Sequence, residues 1–228
     1  MNNPPLKRFW DAPVQREFSG RYVSLAPVDA EADYLELFEA GHRTPEHRSV
    51  WRFLWQGPFE DEMSMRDWLR ICQSSSDPLF FTVKNLADNR KVGMVSIMSV
   101  VPEMGRAELG HIWYAPEAQR TNVNTEAVFL LLKYLLGELQ YRRAEWKCDA
   151  RNERSRKAAL RLGFVFEGVF RQHMMVKGEN RDTAWFSLLD KEWARAGANM
   201  SRWLYDAKTL SLSELNQSNP PFQRTAGL

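Results

Sequence analysis

The chain carries 228 residues, with 31 Lys and Arg against 29 Asp and Glu and a formal net charge of +2. That balance argues against a dedicated nucleic-acid binder, which concentrates basic residues on one face. With 44% hydrophobic and 26% charged residues the chain reads as one ordinary globular domain with extensions, and no apolar run is long enough to cross a bilayer.

Cys72 and Cys148 lie far apart and outside any CxxC motif, and His42, His47, His111 and His173 show no ligand spacing. Free thiols and no metal are therefore expected. The opening MNNPPLKRFWD has neither an apolar leader nor a glycine for acylation, so the expected location is the cytoplasm, without membrane attachment.

In chain order, residues 1–20 are irregular and read as an arm laid on the domain. Tyr22–Leu25 is a short strand candidate. Asp29–Ala40 has an acidic start and apolar residues at helical spacing, and predicts a helix. Residues 41–60 form a loop rich in Trp and Phe, and Glu62–Gln73 is a second helix ended by SSSDP. Leu79–Lys84, Lys91–Val101 and Ala107–Tyr114 follow as three strands joined by short turns, an antiparallel meander. Ala127–Leu139 is apolar around most of its circumference, which predicts a buried helix. Arg143–Cys148 alternates: Ala144, Trp146 and Cys148 face one way, Arg143, Glu145 and Lys147 the other, so one side is exposed or faces a ligand. Asn152–Leu162 is a helix with Gly163 at its end, and Phe164–Phe170 and Thr183–Leu189 are the last strands. The domain spans 21–193, and 194–228 is an extension, amphipathic at first and partly irregular.

The resulting order, β, α, α, β, β, β, α, β, α, β, β, predicts a mixed α/β (α+β) sheet rather than a doubly wound one. A helix joins the strand ending near Tyr114 to the strand starting near Arg143, which makes those two parallel neighbours.

Two stretches carry the candidate chemistry. QRTNVNTEA, from Gln119 to Ala127, joins a strand to a helix start, where unpaired amides and the helix dipole suit a phosphate. Such loops normally use glycine, and this one has none. Asn122 and Asn124 could replace it at positive φ, with Thr125 as the helix cap, or the stretch could be an ordinary capped helix start. In KCDARNERSRKAALRLGF, from Lys147 to Phe164, Arg151, Arg154, Arg156, Lys157 and Arg161 cluster around one strand–helix unit. They could equally be a solvated face, with Asn152 a simple cap and Ser155 a filler.

Together ELGHIWYAPEAQRTNVNTEA and EWKCDARNERSRKAALRLGFVFEG resemble the Gcn5-related N-acetyltransferases (GNAT). The nearest subgroup includes the ribosomal-protein N-terminal (alanine/serine) acetyltransferases. The resemblance covers about residues 20–190, and Asn152, Ser155, Gly163-Phe164 and Glu167-Gly168 match the family spacing. It implies a mostly antiparallel sheet of about seven strands, with a central parallel pair splayed to hold acetyl-CoA and helices on both faces. It also implies acetyl transfer to an amine without metal, and a homodimer is common in the family. Two departures stand out. Asn122 and Asn124 replace the glycine positions of the pyrophosphate loop, and Ala159 stands where many members carry the tyrosine acid.

The resemblance implies site roles. Pantetheine would pair with the backbone of Ile112, Trp113 and Tyr114. Asn152 and Ser155 would contact the arm, and Gln119, Arg120, Thr121, Asn122, Val123, Asn124 and Thr125 would hold the pyrophosphate. Arg120, Arg154 or Arg156 would meet the 3′-phosphate. A bulge in the Ala107–Tyr114 strand would free an amide near Trp113 to polarise the thioester carbonyl. Glu108 is the base candidate, and Ser155, Tyr114 or water the acid in place of Ala159. Trp51, Phe53, Trp55, Phe59, Phe170, His173 and Trp185 are candidates to wall the amine site or to pack the core. A coenzyme A-binding sensor with little catalysis is the alternative reading.

Overall fold

Alternation along the strands decides which side of the sheet each helix covers. The computed structural model describes residues 9–206 and 209–217. Its eight-stranded sheet comprises β1 (Phe18–Ser19), β2 (Val23–Pro27), β3 (Leu79–Asn85), β4 (Lys91–Val101), β5 (Arg106–Tyr114), β6 (Arg143–Asp149), β7 (Val165–Val176) and β8 (Glu179–Leu189). The spatial order is β1-β2-β3-β4-β5-β6-β8-β7. All neighbours are antiparallel except β5 and β6, which are parallel as their connection requires.

Phe81, Val83, Val95, Ile97, Ala144 and Trp146 point to one face. There they pack on α4 (Asn122–Leu132), α5 (Glu153–Arg161) and α6 (Asp190–Tyr205). Phe80, Met94 and Trp113 point to the other, against α1 (Ala30–His42), α3 (Glu62–Ser74) and Trp51. A one-turn helix, α2 (Pro45–Arg48), is set by the Thr44 cap and Pro45. Helix α7 (Leu212–Gln217) closes the described chain, its Leu212 and Leu215 buried.

The structure differs from the sequence reading in several places: β1 lies in the arm expected to be irregular and α2 in the stretch expected to be a loop. The helix expected from Ala127 begins at Asn122, because Thr121 caps it by accepting from the Val123 amide, and it ends in a π-helical turn over Lys133–Glu138. The final strands are longer than expected. They form one hairpin closed by Lys177 and Gly178, both at positive φ, the two-residue geometry that matches strand twist. The boundary after Trp193 falls inside α6, whose Ala196 and Met200 belong to the larger core. Of the two end segments, residues 1–8 and 218–228 lie outside the described residues. Within the arm, Trp10 is buried and donates its indole N–H to Gln140 O at 2.6 Å.

A buried carboxylate ties three elements together. Glu126 on α4 is fully buried and accepts from the amides of Arg21, Tyr22 and Val23 at 2.8, 2.6 and 2.7 Å and from the Tyr205 hydroxyl at 2.8 Å. A buried charge is tolerated when every lone pair is met in this way. Among the described residues, no helix is long and apolar enough to cross a membrane.

Candidate active site

The parallel pair is joined over only three rungs, Arg106 with Arg143, Ala107 with Ala144 and Glu108 with Glu145. Beyond Glu108, β5 continues to Tyr114 and β6 to Asp149 without pairing to each other. Strand β6 stays bonded to β8 along its whole length, so it leaves β5 together with β8. The two strands therefore part after Glu108, and beyond it the backbone edges that would face each other have no ladder between them. Backbone groups on such edges need a partner, from water or from a ligand laid into the gap.

On the β5 wall a bulge lies where it was expected. Met94 pairs with Trp113 and Ser96 with Gly110, so His111 and Ile112 oppose the single residue Val95. His111 takes φ of +49°, and its Nδ1 lies 2.9 Å from Ser96 Oγ. Burial lowers its pKa to about 4, so it is neutral near pH 7. Gly93 makes the close approach possible: a Cβ there would stand 2.1 Å from Trp113 O. The Trp113 indole is buried against Trp51, with ring centroids 4.6 Å apart, so any part Trp113 plays at the gap is played by its backbone.

The expected phosphate loop is differently built. Asn122 and Asn124 are helical, in the first turn of α4, and not at positive φ; Arg120 is the residue there at positive φ, +60°. Thr121, not Thr125, is the cap. Thr125 is fully buried and accepts from Arg161 Nη1 at 2.9 Å, so its side chain cannot meet a cofactor. The Val123 side chain is likewise core. Gln119 turns inward, its Nε2 donating to Tyr114 O at 2.9 Å. What faces outward is the first turn of α4, whose leading amides have no helical acceptor, with exposed Arg120 beside it.

On the β6 wall, Asn152 caps α5 by accepting from the Ser155 amide at 3.1 Å, which leaves its Nδ2 to donate elsewhere. Ser155 Oγ accepts from Trp146 Nε1 at 2.9 Å, and its hydroxyl is shared with the Cys148 sulfur. Arg154 is exposed and Arg156 half-buried, with Nη1 on Ala150 O at 3.2 Å. Ala159 is fully buried. The Tyr114 hydroxyl is buried in the larger core without a partner among the described residues, and burial raises its pKa. That leaves Ser155 better placed than Tyr114 to give a proton.

The opposite face of the splayed strands is charged. Glu108, buried, accepts at Oε2 from Lys147 Nζ at 2.9 Å and from Ser99 Oγ at 3.3 Å. Both bonds end on Oε2, so Oε1 is the oxygen left to accept a proton. Desolvation pushes the Glu108 pKa above the usual carboxylate value against the pull of Lys147. Lys147 also meets Glu145 Oε2 at 3.0 Å and sits 4.0 Å above the Trp185 ring. The aromatic candidates divide. Trp51 and Phe59 pack with Trp68 and Trp113 in the smaller core. Phe170, His173 and Trp185 form a separate cluster, Phe170 half exposed and 4.7 Å from Trp185. Trp55 is also exposed. The sequence reading put Glu145 and Lys147 on an exposed or ligand-facing side without giving them a role, and it did not single out Ser99. The alternation of β6 held the signal, but only the pairing of Glu108 with Glu145 brings the three together.

Comparison with known proteins bears on the family and the fold. The family description "Acetyltransferase (GNAT) domain" matches residues 23–165. YdaF of Bacillus subtilis (strain 168), provisionally assigned as a ribosomal N-acetyltransferase, is 30% identical over 173 residues, 74% of this chain and 90% of its own. A GCN5-related N-acetyltransferase from Brucella melitensis superposes with a TM-score of 0.88 at 38% identity, covering 92% of this chain and 97% of that one. A GNAT-family structure from Chromobacterium violaceum gives 0.77 at 40% identity, over 85% and 98% of the two chains.

Proposed function

This chain belongs to the GNAT acetyltransferases, and from that footing we propose that it moves the acetyl group of acetyl-CoA to a primary amine, the end of a protein or peptide chain or a small molecule, by direct attack. The observation that carries the proposal is the gap itself: a parallel pair that parts after Glu108, with a bulge at His111 and Ile112 on one wall.

The residues present fit acetyl-CoA. The backbone of Ile112–Tyr114 offers pairing to the pantetheine amides, and Asn152 Nδ2 a donor from the other wall. The first-turn amides of α4 with Arg120 suit the pyrophosphate, and Arg154 or Arg156 the 3′-phosphate. When bound, acetyl-CoA supplies an activated thioester. An amide near Trp113 holds the carbonyl oxygen as negative charge develops on it. Glu108 Oε1 takes the proton that the amine nitrogen sheds as the C–N bond forms. Ser155 returns a proton to the sulfur as the C–S bond breaks. The Phe170–His173–Trp185 cluster beside Lys147 walls the amine. The provisional name of the Bacillus relative favours the chain end of a protein as acceptor.

Thiol release from acetyl-CoA, followed by mass spectrometry over free amino acids, polyamines, aminoglycosides and peptides, tests this. Acetylation of one amine class is expected. Tight acetyl-CoA binding with no thiol release on any amine would overturn it in favour of a coenzyme A-binding sensor.

A further inference from the structure

We propose that Lys147 is a positioning residue for Glu108: its ammonium bridges Glu108 and Glu145 and holds Glu108 ionised and in place to receive the proton of the amine. The proposal rests on the reading of Glu108 as the base.

Glu108 and Glu145 are partners in the last rung of the parallel pair, both buried and on one face. Neighbouring strands lie about 4.8 Å apart, so two carboxylates side by side at that rung repel. Lys147 stands two residues along β6 on the same face, with Nζ 2.9 Å from Glu108 Oε2 and 3.0 Å from Glu145 Oε2. Trp185, directly opposite Lys147 on β8, supports the ammonium with its ring centroid 4.0 Å away.

The two carboxylates are not equally supplied. Glu145 has Arg143 at 2.8 Å and Arg106 at 3.6 Å as well as Lys147. Arg143 extends the chain to Glu167 on β7 at 2.6 Å, and Glu167 in turn accepts from Ser187 on β8. For Glu108, Lys147 is the one paired cation among the described residues. Ser99 on β4 is its other donor, and His111 further along β5 is neutral. Without Lys147, Glu108 would be a buried acid beside a second carboxylate, the arrangement that favours the protonated form. A protonated Glu108 takes no proton from the amine.

The test is a carbon-13 titration of the Glu108 carboxyl in the free protein, in the wild type and in Lys147→Met and Lys147→Arg, with thermal unfolding alongside. The midpoint is expected to rise by about one unit or more in Lys147→Met, since a close opposite charge is worth about 1–3 units, and to return in Lys147→Arg. The acid limb of kcat/KM for the acceptor found in the amine screen should move with it. A merely structural lysine would lower the melting temperature and leave the midpoint where it was, and that result overturns the proposal. Glu145→Gln is the second variant, should Lys147→Met not fold. It removes the competing carboxylate, and the Glu108 midpoint is expected to fall; no change there overturns the proposal as well. Glu108→Gln keeps the two readings apart. Full turnover in that variant sinks the base assignment, whereas lost turnover with an unmoved midpoint in Lys147→Met sinks only the role of Lys147.

Discussion

The two sides of the splayed pair are made of different material. Toward α4 and α5 the gap offers mostly backbone: the bulge at His111 and Ile112, the approach that Gly93 permits, the first turn of α4. On the opposite face it offers side chains: Glu108 held by Lys147 and Ser99, Glu145 held by Arg143, and the Phe170–His173–Trp185 cluster. Backbone amides do not depend on which side chains ride on them, so a site made from them survives substitution. A site made of side chains is defined by them. A single carboxylate change on the side-chain face should therefore cost far more than the unusual asparagines cost on the backbone face.

Glu108→Gln is the largest expected effect. It keeps the shape and removes the proton acceptor. General-base catalysis is worth about 100- to 10,000-fold, so kcat should fall by that much while acetyl-CoA affinity changes by less than about threefold. Equal losses in both quantities would break the comparison, since they would mean that one carboxylate serves both faces.

Next comes pH, through His111, which stands at the bulge between the two sides. Its folded pKa is lowered from 6.5 to about 4 by burial. Its contribution to stability is therefore full above pH 6.5 and is lost as the pH falls toward 4. The loss is about 1.4 kcal/mol per unit and about 3 kcal/mol in all. Thermal unfolding between pH 7 and 4.5 should show that slope. His111→Asn, which tolerates positive φ, should flatten it; an unchanged slope would assign it elsewhere.

A smaller effect is expected for Gly93→Ala on the backbone face. The added Cβ would meet the Trp113 carbonyl at 2.1 Å, so β4 and β5 must part beside the bulge. Overpacking of this kind costs about 1–3 kcal/mol. The Michaelis constant for acetyl-CoA should rise more than that for the amine. The reverse order would show that the bulge serves the acceptor side.

How much of this was legible follows from the same division. Strand periodicity exposed β6 because Ala144, Trp146 and Cys148 alternate strictly with Arg143, Glu145 and Lys147. The crossover length gave the parallel pair, and the bulge came with the family resemblance. Register was not legible, because nothing local to AELGH or AEWKC says that Glu108 will stand beside Glu145. The Glu126 carboxylate, spent on three amides of residues 21–23, was hidden for the same reason. The helix start was misplaced by five residues because Thr121, followed by two asparagines, looks like loop; its cap on Val123 turns those asparagines helical.

The smallest expected effect concerns those asparagines. If a missing-glycine loop weakened acetyl-CoA binding, Asn122→Gly with Asn124→Gly would restore it. In the folded chain both residues are helical, and the positive φ falls on Arg120. Glycine would therefore supply no conformation that the loop uses, and each replacement would cost about 0.5 kcal/mol or less, the difference between the helix propensities of asparagine and glycine. The expected outcome is a melting temperature lower by a few degrees and an acetyl-CoA dissociation constant unchanged within about twofold by isothermal titration. A fivefold gain in affinity would mean that the first turn of α4 must unwind to receive the pyrophosphate, and the backbone face would then be a site made on binding. Arg120→Gly separates the cases further: it fits the positive φ but removes the charge. Weaker binding in that variant alone would assign the contribution of this loop to the guanidinium rather than to the shape of the chain.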